Sequence, residues 1–95
     1  MVVYISGKIT GDVDYIKKFA AAELSLRAKG YDVINPCDVG EYRFLSYEQF
    51  MHIDFALIDV SDAIYLLKDW TGSSGARREK EYAERQGKKV MYEPL

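Results

Sequence analysis

Four short apolar runs punctuate the chain: "VVYIS" (2–6), "YDVINP" (31–36), "AIYLL" (63–67) and "KVMYEP" (89–94). Between them lie longer stretches whose apolar residues recur every three or four positions. Runs this short, rich in β-branched residues and bounded by turn residues, suit strands covered on both faces. From Asp14 to Lys29, Tyr15, Phe19, Ala22 and Leu26 form one face of a helix, and Gly30 stops it as a C-cap. Ser46 with Gln49 three residues on makes a capping box. The following Phe50, Ile53, Leu57 and Val60 keep helical spacing and give the apolar stripe of a second helix. "CDVGEYRFLS" between strand and helix reads as a loop, long enough for a lid or an oligomer contact. A glycine- and serine-rich loop then opens into a third helix ending before Lys89. Strand and helix alternating with short connections, joined by right-handed crossovers, predict one α/β domain over residues 1–95. Its sheet is parallel and doubly wound, Rossmann- or flavodoxin-like, with helices on both faces.

Composition narrows the function classes. A formal charge of −2 argues against a general grip on polymeric nucleic acid, which needs a basic stripe, and leaves small ligands open. No segment approaches the roughly 20 apolar residues of a membrane span, and "MVVYISG" enters a strand directly, so the expectation is a cytoplasmic protein. At 95 residues the core is modest, and self-association would help bury apolar surface; a homodimer or higher homo-oligomer is expected. Cys37 and His52 are the only cysteine and histidine, which gives no disulfide and no trusted metal-ligand spacing. Cys37, after Pro36, reads as a small filler. No metal and no cofactor are expected.

In open α/β sheets ligands bind beyond the carboxyl ends of the strands. The loops there are "SGKITG", "NPCDVG" and "KDWTGSSG". None carries the spacing of a P-loop or a dinucleotide fingerprint, and the bland reading of the first is a tight turn into a helix. Two carboxylates draw attention. Glu79 falls between Ala76 and Ala83 on the narrow stripe of small residues that faces the protein, where a carboxylate is out of place. A cap at Ser73 or Ser74 puts it in the first turns of its helix, and the dipole there favours an ionised, nucleophilic carboxylate. The alternative is a decorative Glu paired with Arg77 or Arg78. Asp54 lies at the margin of the second helix's stripe, partly buried, whereas Asp59 points the other way.

From Tyr4 to Lys88 the chain resembles the nucleoside 2-deoxyribosyltransferase-like superfamily, and in particular its short, phage- or prophage-type branch (DUF4406-like). The resemblance is carried by "YISGKITG", "VINP", "DFALIDVSDAIYLL" and "SSGARREKEYAERQGKK", in order and at fitting separations. It implies hydrolysis of an N-glycosidic bond, or deoxyribosyl transfer, on a nucleoside or nucleoside 5′-monophosphate through a covalent glycosyl-Glu intermediate. Glu79 would be the nucleophile, Tyr4 would hydrogen-bond and orient it, and Asp54 would meet the leaving base and help protonate it. Ser73 matches a position that contacts the sugar or phosphate. Gly7 and Gly75 would admit backbone N–H groups, with Lys8 and Ile9 completing the first loop against the substrate.

Some positions depart from the superfamily. Lys8 and Thr10 stand where its nucleotide hydrolases carry Ser and Arg, and Lys8 would serve a phosphate as a point charge. Ser73 replaces the acidic residue of the transferases, which favours hydrolysis. The transferases also complete the site with a neighbouring subunit's C-terminal carboxamide, which "MYEPL" does not match. Trp70 would stack on a base or instead act as a dimer contact or core lid. The competing class is a non-catalytic module that binds or sequesters a nucleotide-derived ligand in the same cleft.

Overall fold

The computed structural model describes residues 1–95, with the side chain of Glu41 left out. The strands are β1 (Val2–Ser6), β2 (Asp32–Ile34), β3 (Ala63–Leu66) and β4 (Lys89–Tyr92). The helices are α1 (Tyr15–Ala28), α2 (Tyr47–Asp59) and α3 (Ser74–Arg85). All pairings are parallel, and the sheet order is β2-β1-β3-β4. The chain thus leaves β1 in one direction to β2 and returns across it to β3. That reversal opens a crevice at the carboxyl ends of β1 and β3, where a doubly wound sheet binds ligands.

Alternation along β1 decides what each face meets. Val3 and Ile5 pack with Ala63, Tyr65 and Leu67 against Phe19, Ala22 and Leu26 of α1. Tyr4 points the other way and packs with Ile64 and Leu66 against Ile58 of α2 and Ala83 of α3. Helices therefore cover both faces, α1 on one and α2 with α3 on the other. Two left-handed glycines end the outer helices as their sequence position suggests: Gly30 at φ 90° after α1 and Gly87 at φ 72° after α3. No helix is long and apolar enough to cross a membrane.

Three expectations need correction. The second strand is shorter than "YDVINP", because Asn35 leaves the ladder to cap a 3-10 turn, its side chain accepting from the Cys37 N–H. The segment after it is not wholly a loop: Pro36–Glu41 forms that 3-10 helix. The inner face of α2 is also rotated from the stripe Phe50, Ile53, Leu57 and Val60. Met51 and Ile58 are its fully buried residues, and Val60 is 68% exposed. Met51, Asp54 and Ile58 form one helical line, so the carboxylate sits in the middle of the inner face. The Ser46–Gln49 capping box is present as expected, with both reciprocal bonds made.

Candidate active site

Tyr4 and Ser6 alternate with Val3 and Ile5 along β1, so both side chains face α3. Small residues let that helix lie close: Ala76, Glu79 and Ala83 are its buried residues. Glu79 is 6% exposed, and its two oxygens each accept one buried hydroxyl. The Tyr4 hydroxyl donates to Oε2 at 3.1 Å and the Ser6 hydroxyl to Oε1 at 2.7 Å. Arg77 and Arg78 turn away from it. Arg77 donates to the Thr71 carbonyl, and Arg78 grips Glu48 through two hydrogen bonds at 2.9 and 3.1 Å.

These groups form the floor of a cavity of about 450 Å³ at the β1/β3 switch. Asp54 of α2 stands beside Glu79 in it. Tyr15, Phe19, Val39, Phe50 and Met51 supply an apolar wall. The exposed Ile9 and Thr10 after β1 and Gly72 and Ser74 at the start of α3 make the mouth, with Gly7, Ser73, Gly75 and Ala76 lining it further in. Ser73 is the N-cap of α3, its hydroxyl accepting from the Ala76 N–H at 3.1 Å.

The electrostatics of the floor correct the expectation of an ionised Glu79. Burial pushes its carboxyl well above the usual carboxylate range, and the charge of Asp54 adds to the rise; the Ser6 hydrogen bond pulls the other way. Glu79 is the sixth residue of α3, beyond the first turn, where the helix N-terminus weighs little against desolvation. Burial raises Asp54 as well, while a hydrogen bond from Glu79 favours its charged form. Burial raises both carboxyls, and their mutual interaction favours one proton shared between them, with the deeper Glu79 favoured to hold it. Burial and the two carboxyls keep the Tyr4 phenol protonated, its own pKa raised well above the ordinary value.

The structure brings Tyr4, Asp54, Glu79, Gly7, Ile9, Ser73 and Gly75 to one cavity. It does not bring Lys8 or Trp70 there. The Lys8 backbone N–H donates to Asp69 Oδ1 at 3.1 Å, and its side chain runs past Gly11, where its charge acts on Asp12. Trp70 joins the sheet-side cluster, its ring 6.2 Å from Tyr92 and beneath the Lys80 ammonium at 5.4 Å. Gly7 needs to be glycine for a reason other than ligand access: an added Cβ would lie 2.9 Å from the Cβ of Leu67. Gly75 is different. A Cβ there meets only ordinary contacts, Tyr47 Oη at 3.5 Å and Met51 Sδ at 3.7 Å, so its bareness leaves room in the cavity. Cys37 packs against the α1 cluster with its thiol pushed up to about 11 by burial, which makes it unreactive at neutral pH.

Ser6 is the principal residue that reading the sequence missed. Its signal was available, since a strand that aims Tyr4 at Glu79 aims the residue two further along the same way. Tyr47 and Phe50 at the start of α2 also line the cavity.

Residues 1–92 match the model of the family described as "Domain of unknown function (DUF4406)", and the chain belongs to that family. Its fold is shared with two solved structures. One is the Clostridium botulinum CMP N-glycosidase BcmB, at 22% identity and a TM-score of 0.67, covering 97% of this chain and 67% of that one. The other is a 2-desoxiribosyltransferase from Leishmania mexicana, at 18% identity and a TM-score of 0.73, covering 96% of this chain and 62% of that one. The chain thus spans about two thirds of the length of each. No curated protein matches in sequence.

Proposed function

We propose that the protein cleaves the N-glycosidic bond of a nucleoside or nucleoside 5′-monophosphate through a glycosyl ester on Glu79, with hydrolysis favoured over transfer. One observation carries the reading: a buried carboxyl held by two hydroxyl donors, with a second carboxyl beside it, at the floor of a cavity at the switch point. The fold it shares with an N-glycosidase and a deoxyribosyltransferase supports the same reaction class.

The chemistry follows from where the shared proton sits. With the proton moved to Asp54, Glu79 is a carboxylate fixed by Tyr4 and Ser6, and Asp54 is an acid. Glu79 then attacks the anomeric carbon as the C–N bond breaks. The electron pair leaves with the base, and Asp54 protonates it. The Asp54 carboxylate next takes a proton from water, which attacks the anomeric carbon and releases the sugar from Glu79. Two inversions give net retention. The apolar wall accommodates the base, and Ser73 with Gly75 lies where the sugar end reaches α3.

The test is release of free base from a pool of 2′-deoxynucleosides and their 5′-monophosphates, run with wild type beside Glu79→Ala. Release by wild type and none by the variant is expected. If no substrate is cleaved and both proteins are equally thermostabilised by one nucleotide, the cleft is a binding module and Glu79 a structural acid. The reading also includes a homodimer or larger oligomer. It is motivated by Val13, just before α1, and by Ile16 and Leu24 on that helix, which are 97%, 60% and 73% exposed. A strictly monomeric mass by light scattering at high concentration would remove that part.

A further inference from the structure

The cavity is acidic, and the cations around it stand outside its lining. Among the described residues that line it there is no lysine, arginine or histidine, while Asp54 and Glu79 form its floor. Lys18 pairs with Asp12 at 2.6 Å and with Asp69 at 3.5 Å. Lys8 makes no ion pair among the described residues; its side chain lies along Gly11, outside the cavity lining, where its charge acts on Asp12. On the far side of the mouth, Arg78 is held by Glu48 with its guanidinium over the Tyr47 ring at 5.5 Å, and Arg77 by the Thr71 carbonyl. Positive potential in the cavity therefore comes from the N-terminus of α3, worth roughly half a charge.

A 5′-phosphate would bring roughly 1.5 to 2 negative charges into this setting, beside two acids and no lining cation. The half-charge of the helix end does not offset that, and an enclosed site weakens screening by salt. A sugar 5′-hydroxyl, by contrast, needs only a neutral hydrogen bond, which Thr10, Ser73 and Ser74 are able to give at the mouth. We propose that this cavity selects an uncharged nucleoside and discriminates against the corresponding 5′-monophosphate. The inference rests on the N-glycosidase reading above and narrows its substrate class.

The experiment compares a nucleoside with its own 5′-monophosphate, base by base, in kcat/KM for base release. A preference of about tenfold or more for the nucleoside is expected from uncompensated charge in a partly enclosed site. Thr10→Lys, which adds a cation to the exposed mouth, is expected to narrow that gap by improving the monophosphate. Wild type using the monophosphate as well as or better than the nucleoside would overturn the inference and leave the glycosidase reading standing. If neither compound is cleaved, the glycosidase reading fails instead, and thermal stabilisation by the same two compounds decides. Greater stabilisation by the nucleoside upholds the selectivity; greater stabilisation by the monophosphate, or none by either, overturns it.

Discussion

At the scale of single residues, the chemistry turns on a carboxyl whose proton burial holds more tightly and which must ionise to act. The pair serves both demands while it holds one proton. Activity should therefore follow a bell-shaped pH profile, falling when the second proton is added and again when the shared proton is lost. Because burial raises both carboxyls, the active window should lie above the usual carboxylate range. Stability carries the same signature. Glu79 binds its proton more tightly folded than unfolded. Its contribution is full below the unfolded pKa and is lost as pH rises through the raised folded value. Glu79→Gln stays neutral throughout, so urea midpoints of wild type should fall relative to this variant as pH rises over that window. Parallel curves would contradict a raised Glu79. The two hydroxyls that orient the carboxylate predict a kinetic effect: Tyr4→Phe or Ser6→Ala should lower kcat roughly 10- to 100-fold, as loss of a hydrogen bond to a charged group implies, with KM little changed. Glu79 was legible because it broke a stripe of small residues. Ser6 needed one further step: once Tyr4 is aimed at Glu79, the residue two further along the strand points the same way.

At the scale of elements, α3 owes its place to small side chains, and α2 owes its rotation to a polar one. Ala76→Leu or Ala83→Leu would force α3 away from β1 and β3. A loss of about 1 to 3 kcal/mol in unfolding free energy is expected from such overpacking, with base release falling further as Glu79 moves from its donors. Ser73→Ala removes the cap of the same helix and should cost about 1 kcal/mol; denaturant melts of the three variants check the order. The starts of α2 and α3 at Ser46 and Ser73 and the end of α1 at Gly30 were readable, since those signals are local. The inner face of α2 was not. Periodicity counted Asp54 as the margin of an apolar stripe, and only the cavity explains why the middle of that stripe is a carboxylate.

At the scale of the whole molecule, the alternation of buried strands and helices was enough to give a doubly wound parallel sheet and therefore the edge where the site lies. What alternation does not give is the partner each long side chain chooses. Lys8 and Trp70 stand in the loops of that edge, yet neither side chain lines the cavity: Lys8 lies along Gly11, and Trp70 packs near Tyr92, distant in sequence. Gly7 shows the same limit from the other side: its close approach is to Leu67 of the neighbouring strand end, a packing demand invisible in one chain segment. The central claim remains the covalent role of Glu79, and it is best tested by intact-protein and peptide mass spectrometry after incubation with a 2′-fluoro-substituted nucleoside. Such a substituent slows departure of the sugar by destabilising an oxocarbenium-like transition state. The account predicts one added sugar, on the peptide containing Glu79, and no adduct on Glu79→Ala. Base release that persists in Glu79→Ala, or a sugar found on any other residue, would contradict it.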